Sequence, residues 1–432
     1  MKPSVQWMLD QDARALLTRL ARVKPFVLTE PMLPAASLLP PAQIAIEHFL
    51  AKGRKKLKEH VEIFRGWLNG SGGSAASPEE AQRRFCFLRL RFNAVLTQLD
   101  MFSDVITQRS ENENGVWLSG LDVVSADALA MPEYYRMPPV ICYLDRGVGA
   151  AIRRARTRLP GGGENPVAII RVPRERMIGS GIASSLVHEV GHQASVLLRL
   201  IPSMRPVLQE QGRRSGEAQT WMLFDRWISE ILADFWSIAR VGVVSTLGLI
   251  GVVSLPRPFV FRLNLDDPHP MPWLRVKLSC AIGNALYPHR QWRGIAEMWE
   301  SFYPLASLDE ERRGVIAKVQ AALPEFISLL VNHRPKSLNG RTLREVMETE
   351  ARQPEQLAAY FQEWVQDPGK MYRSSPALAF AVLGQAKMNN ILSPEDEADL
   401  LAKLLNYWAM RSTLDMSGVL HELSYDAGTS VY

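Results

Sequence analysis

The chain is short of cysteine. Its three, Cys86, Cys142 and Cys280, are odd in number, far apart and without a CxxC pair. That excludes a disulfide framework and a thiolate zinc knuckle, and leaves reduced, buried thiols as the expectation. Charge of one sign is also scarce: 50 Lys and Arg stand against 45 Asp and Glu, a net +5, and no nucleic-acid partner is expected from so small a surplus. The sequence lacks a long apolar run. Its most apolar stretch, Val241–Leu255, is closed off by Arg240 and Pro256 and falls short of the roughly 20 residues needed to span a bilayer, so it reads as a buried helix, or a helix and a strand. Near the N-terminus Asp10, Asp12, Arg14, Arg19 and Arg22 interrupt every apolar stretch, so no signal-peptide core can be drawn there. A cytoplasmic location is the resulting expectation, and membrane association is not expected. What remains is ordinary globular composition, 47% hydrophobic with 28 Gly and 28 Pro, enough to bury a core.

Helical periodicity dominates. Pro41–Leu68 carries Ile44, Ile46, Phe49, Leu57, Val61, Phe64 and Leu68 at three- and four-residue spacings, with KGRKKLK (Lys52–Lys58) inside it as a solvated face. The small, polar stretch Asn69–Glu80 reads as a linker ending in a helix start, with Ser77 as N-cap, Pro78 in the first turn and Glu80 at the third position. That helix is expected to run to about Thr107, where Ser110–Gly115 stops it. Short segments of strand character follow at Val116–Leu118, Val140–Leu144 and Val167–Val172, the last behind the glycine-rich loop LPGGGENP. Two long helical patterns, Ile182–Leu200 and Thr220–Val241, come next. After Ile295 the chain reads as helix upon helix, with a further start at Ser393, Pro394 and Glu395. The expected fold is therefore predominantly α with a small β-sheet (α+β). Residues 1–68 form an N-terminal helical region, 79–294 the part that carries the chemistry, and 295–432 a C-terminal helical region.

The chemistry sits on the two long helices. Ser184–Leu197 contains His188, Glu189, Val190, Gly191 and His192, an HExxH pattern. A period of 3.6 residues stacks His188 and His192 one turn apart on one face, so that two imidazoles converge on one ion. Glu189 is rotated by about 100° and can reach a metal-bound water as general base. With 8 histidines in the chain, the pattern is expected by chance on the order of 0.01 times, so it is taken as a signal. Metzincin completion fails, because Ser195 and Leu198 stand where Gly and His are needed. The second helix places Glu230 and Asp234 one turn apart in an otherwise apolar segment. Two such carboxylates are costly to bury unless they bind a cation or accept hydrogen bonds, and a metal ligand with a partner behind it would remove that cost.

HEVGH followed by ExxxD resembles the gluzincin metallopeptidases. The resemblance implies a zincin-like catalytic domain with His188, His192 and Glu230 as ligands of a Zn²⁺ ion, Glu189 as general base, and Asp234 as acceptor for a ligand histidine. The stretch Asp266–Val276, DDPHPMPWLRV, is similar to the His-Pro segment followed by Arg in the branch containing the CAAX prenyl peptidases. It makes His269 and Arg275 candidates for substrate or oxyanion contacts, with Tyr287 and His289 of YPHR behind them. The plainer reading pairs Asp234 with Arg226 or Arg240 and leaves His269 and Arg275 bracing a proline-rich turn. Gly191, costly inside a helix by roughly 1 kcal/mol, suggests that a strand or a substrate passes close by.

The expected function is zinc-dependent peptide hydrolysis on a peptide or protein substrate. An extended substrate would add to Val167–Val172 as a sheet edge. The alternatives are a metallopeptidase-like regulator acting on one target, or a helical scaffold with a structural zinc.

Overall fold

The computed structural model describes residues 2–23, 32–147, 149–159, 162–174, 179–264 and 266–429. Pro160 and Gly161 of the glycine-rich loop lie outside the described residues.

Helices α1 (Pro3–Arg22), α2 (Pro40–Asn69) and α4 (Pro78–Thr107) pack side by side through Leu9, Leu16, Leu57, Val61, Phe85 and Phe92. Ser77 accepts the Glu80 N–H at 3.1 Å, as its place before Pro78 predicts. The expected linker contains a five-residue helix, α3 (Ser71–Ala75). A Cβ on Gly73 would lie 2.0 Å from the Leu68 carbonyl oxygen, so the small residues there serve a tight corner. The helix α4 stops at Thr107 as expected, but Ser110–Gly115 does not give way to a strand. Helix α5 (Asn112–Leu129) starts within it and absorbs Val116–Leu118. The reason is that α5 is buried on most of its circumference, Leu118, Leu121, Val124 and Leu129 being wholly covered, and a three-residue apolar run on such a helix has no distinctive period.

The sheet has three strands, β1 (Val140–Asp145), β2 (Ala151–Arg153) and β3 (Ala168–Pro173), in the order β1-β3-β2. Strands β1 and β3 are parallel, and β2 is antiparallel to β3 with Ile152 opposite Ile170. The segment expected as a sheet edge is thus the centre of the sheet, flanked on both sides. The edge beside the candidate site is β2. Because side chains alternate along a strand, Ile141, Tyr143, Ile169, Arg171, Ala151 and Arg153 share one face. Ile141 and Ile169 there pack on Phe102 and Val105 of α4. Cys142, Leu144, Ala168, Ile170 and Val172 take the other face and enter the main core.

That core begins at Leu118 and continues to Trp408. It is built on α6 (Gly181–Leu197), α7 (Leu200–Ser215) and α8 (Ala218–Val241), followed by α9 (Val243–Val253) and the single turn α10 (Arg257–Val260). Gly242, at φ +62° and ψ −137°, makes the break between α8 and α9, a backbone state that favours glycine. Val241–Leu255 therefore resolves into helix, without a strand. Helices α11 (Pro272–Leu286), α12 (Arg290–Phe302), α13 (Glu310–Val331), α14 (Pro354–Gln366), α15 (Pro368–Arg373), α16 (Pro376–Met388) and α17 (Pro394–Thr429) complete the chain. By length and composition α13 could cross a membrane; here Ile316, Val319, Phe326 and Leu330 bury one side of it in the core.

Candidate metal centre

Helices α6 and α8 cross in close contact. A Cβ on Gly191 would lie 2.8 Å from Ala233 Cα, 2.9 Å from the Ala233 carbonyl oxygen and 2.9 Å from Trp236 Cβ. The glycine therefore admits the second ligand helix, and neither a strand nor a substrate accounts for it. Glycine in the HExxH motif thereby brings the backbone of α8 against that of α6, and Glu230 comes opposite the two histidines.

His188 Nε2 lies 3.2 Å from Glu230 Oε2, and His192 Nε2 lies 3.4 Å from Glu230 Oε1. Ligand atoms of these three residues all fall within 4.8 Å of one another. The far nitrogen of each ring is also occupied. His188 Nδ1 is 2.8 Å from Asp234 Oδ1, and His192 Nδ1 is 3.4 Å from Ser229 Oγ. A ring held at Nδ1 presents the Nε2 lone pair toward the shared point. Two imidazole nitrogens and a carboxylate oxygen, nearly buried and mutually close, are the donor set that zinc takes in a site with one open position. These residues can hold a metal ion. Among the described residues the mutually close set ends at three protein ligands.

The electrostatics agree with a cation at this point. Burial opposes charge on His188, but the Asp234 and Glu230 carboxylates outweigh it and raise its pKa to about 9. Burial, reinforced by the positive charge on His188, lowers His192 to about 4. Glu230 is brought down to about 2: burial works against its charge, and His188, His192 and Arg275 overcome that. The carboxylates thus favour one imidazole as a cation, and a metal ion bound there would take the place of that proton. Glu189, next to His188 and only 8% exposed, is pushed up from the carboxylate range, chiefly by burial and also by the Glu230 charge.

Asp234 does not pair with Arg226 or Arg240. Arg226 meets Asp266 at 2.7 Å, and Arg240 donates to the Ala130 carbonyl. The partner is Arg275 of α11, which donates from Nε to Oδ2 and from Nη2 to Oδ1, each at 2.8 Å. This bidentate pair holds the Asp234 carboxyl well below its ordinary range against the burial that opposes it. It also occupies the Arg275 guanidinium, placing Arg275 behind the ligands. His269 reaches the rim: its Nε2 is 3.5 Å from Glu230 Oε2, and its Nδ1 is 2.8 Å from Asp267. Tyr287 and His289 are elsewhere. The buried Tyr287 hydroxyl donates to the Ala239 carbonyl, and His289 caps α12 by accepting the Gln291 N–H.

These residues line a cleft of about 510 Å³, floored by α6 and α8, with Leu249 and Val252 of α9 on one wall and β2 on another. Ser229, Leu249, Val252 and Arg154 were not singled out from the sequence. Ser229 directly precedes the candidate ligand Glu230, which is the one signal that could have found it. The others belong to elements whose approach to the site is a matter of tertiary packing. No protein-family model, no curated protein and no solved structure matches this chain.

Proposed function

We propose that the chain is a zinc-dependent peptidase of the gluzincin type. The observation that carries this reading is the convergence of His188, His192 and Glu230 with Glu189 beside them in an open cleft. Bound zinc would supply Lewis acidity, lowering the pKa of a coordinated water toward about 7 and polarising the scissile carbonyl. Glu189, buried and raised in pKa, takes the water's proton and returns it to the leaving amine. His269, held by Asp267 at the rim with its Nε2 3.5 Å from Glu230 Oε2, is the side chain placed to contact the substrate where it enters the cleft. Asp234 and Arg275 fix the His188 ring and its tautomer. The free edge of β2, running along the wall of the cleft, supports an extended peptide as substrate, since an added strand can satisfy the edge's backbone groups.

The test is metal analysis of the purified protein together with the variant Glu189→Gln. About one zinc per chain is expected in both proteins, with peptide hydrolysis lost by two or more orders of magnitude in the variant. A variant that cleaves peptides at the wild-type rate, or a wild-type protein that takes up no zinc, overturns the reading.

A further inference from the structure

Strand β2 runs directly into a cationic segment: Arg153, Arg154, Arg156 and Arg158 are four of six consecutive residues. None of the four has a carboxylate partner among the described residues. The one bond formed by these side chains is from Arg156 Nη2 to the Arg136 carbonyl, at 3.3 Å. Elsewhere on the sheet Arg171 faces Asp145 at 3.8 Å. Arg158 stands opposite Glu164 in an antiparallel bridge, so the local positive field comes from Arg153, Arg154 and Arg156.

The segment is fixed in place. Arg156 N–H donates to the Asn165 carbonyl and Asn165 N–H to that of Thr157, each at 2.8 Å, while Leu159 N–H donates to the Gly163 carbonyl at 3.0 Å. Ala155 N–H donates at 2.8 Å to Oε1 of Gln193, a buried residue that directly follows the ligand His192. The arginines are thereby tied to the helix that carries the site.

Two cavities meet at this edge. The cleft with the histidines contains Ala151, Ile152 and Arg154; a wider groove of about 970 Å³ reaching the other face of the sheet contains the same three residues and Arg153. A peptide strand laid against β2 would alternate its side chains between the two cavities. Its neighbours on β2 would be Ala151, Ile152 and Arg153, with Arg154 next along the chain, and beside those two arginines an opposite charge stabilises and a like charge destabilises. Asp100 and Asp104 stand across the wider groove on α4, so the preference belongs to side chains lying over β2 and the segment after it.

We propose that Arg153 and Arg154, the two arginines that line the cavities at this edge, select acidic extended peptides for this cleft, an inference that rests on the peptidase reading of the same site. A peptide fits better than a nucleic acid because Arg153 and Arg154 lie at the end of the edge strand β2, and a strand edge pairs with a peptide backbone. Apart from the imidazoles of His188, His192 and His269, the residues lining the two cavities offer one aromatic side chain, Tyr143, too little for a stacking platform.

The experiment uses the full-length Glu189→Gln protein loaded with zinc. Three fluorescein-labelled ten-residue peptides, matched except for Glu, Gln or Lys at alternate positions, and a labelled ten-nucleotide oligothymidine are titrated by anisotropy at low and at physiological salt. The acidic peptide is expected to bind roughly tenfold or more tightly than the Gln peptide, with the difference shrinking as salt rises. The double reversal Arg153→Glu/Arg154→Glu is expected to abolish that preference. Its zinc content and melting temperature serve as folding controls, and Arg154→Glu alone is a second variant should the first fail to fold. Equal binding of the three peptides, a preference that survives reversal in a folded variant, or tighter binding of oligothymidine each overturn the proposal. Wild-type hydrolysis is measured separately. Acid-selective binding without cleavage of any peptide sinks the peptidase reading and leaves the recognition standing, whereas cleavage indifferent to charge does the opposite.

Discussion

Asp234 serves two partners at once, accepting from a histidine that presents its other nitrogen to the centre and from both arms of Arg275. Asp234→Asn should therefore show two effects together. Zinc affinity should fall by roughly 10- to 100-fold, the usual result of loosening a ligand's outer partner. Apo-protein stability should also fall, because a buried guanidinium loses its counter-charge, a change that costs about 3 to 5 kcal/mol in a fully buried pair. Glu230 Oε2, 3.6 Å from Arg275 Nη2, offsets part of that second loss. A zinc competition titration set beside a melting curve in excess chelator reads both. Unchanged zinc affinity with a large drop in apo stability would leave Asp234 a purely structural ion-pair member. The carboxylates were legible in the sequence because two of them on an apolar helix demand an explanation. Arg275 was legible only as a candidate substrate or oxyanion contact or a brace for the proline-rich turn, since nothing in a linear sequence says that α11 will bring it against α8.

Elements show the same division. Helices α6 and α8 were readable from long 3.6-residue patterns, and β1 and β3 from short β-branched runs between breakers. Val116–Leu118 was not, because apolar residues on a helix buried all round carry no period. The edge position of β2 was missed for a different reason: three residues with one small side chain and two of opposite character, Ala151, Ile152 and Arg153, give no strand signature. At this scale Gly191→Ala is the informative change. Helix propensity favours alanine by roughly 1 kcal/mol. The added methyl, however, meets two backbone atoms and Trp236 Cβ at under 3.0 Å, and overpacking of that kind costs about 1 to 3 kcal/mol. Overpacking should win, lowering the melting temperature by a few degrees and weakening zinc binding as α8 is displaced. Equal or higher stability with unchanged zinc affinity would mean that the helix crossing is not set by this glycine.

In the whole molecule, metal bound by His188, His192 and Glu230 would join α6 to α8 within a core that extends to Trp408. Binding to the folded chain alone stabilises it by about 4 kcal/mol at a thousandfold excess over the dissociation constant. Chelation should therefore lower the melting temperature, re-addition of zinc should restore it, and His188→Ala should be insensitive to both. Identical curves with and without chelator would detach the cluster from the stability of the fold.

Helix α17 lies along α5, so close that a Cβ on Gly120 would be 2.5 Å from the Leu405 carbonyl oxygen, and α5 in turn packs on α6. A ribosome releases the HExxH segment long before it releases α17. Pairings so distant in sequence form late. The nascent chain thus carries its histidines on a helix whose backing is still uncovered, and α5 gains its cover only after synthesis has passed α17.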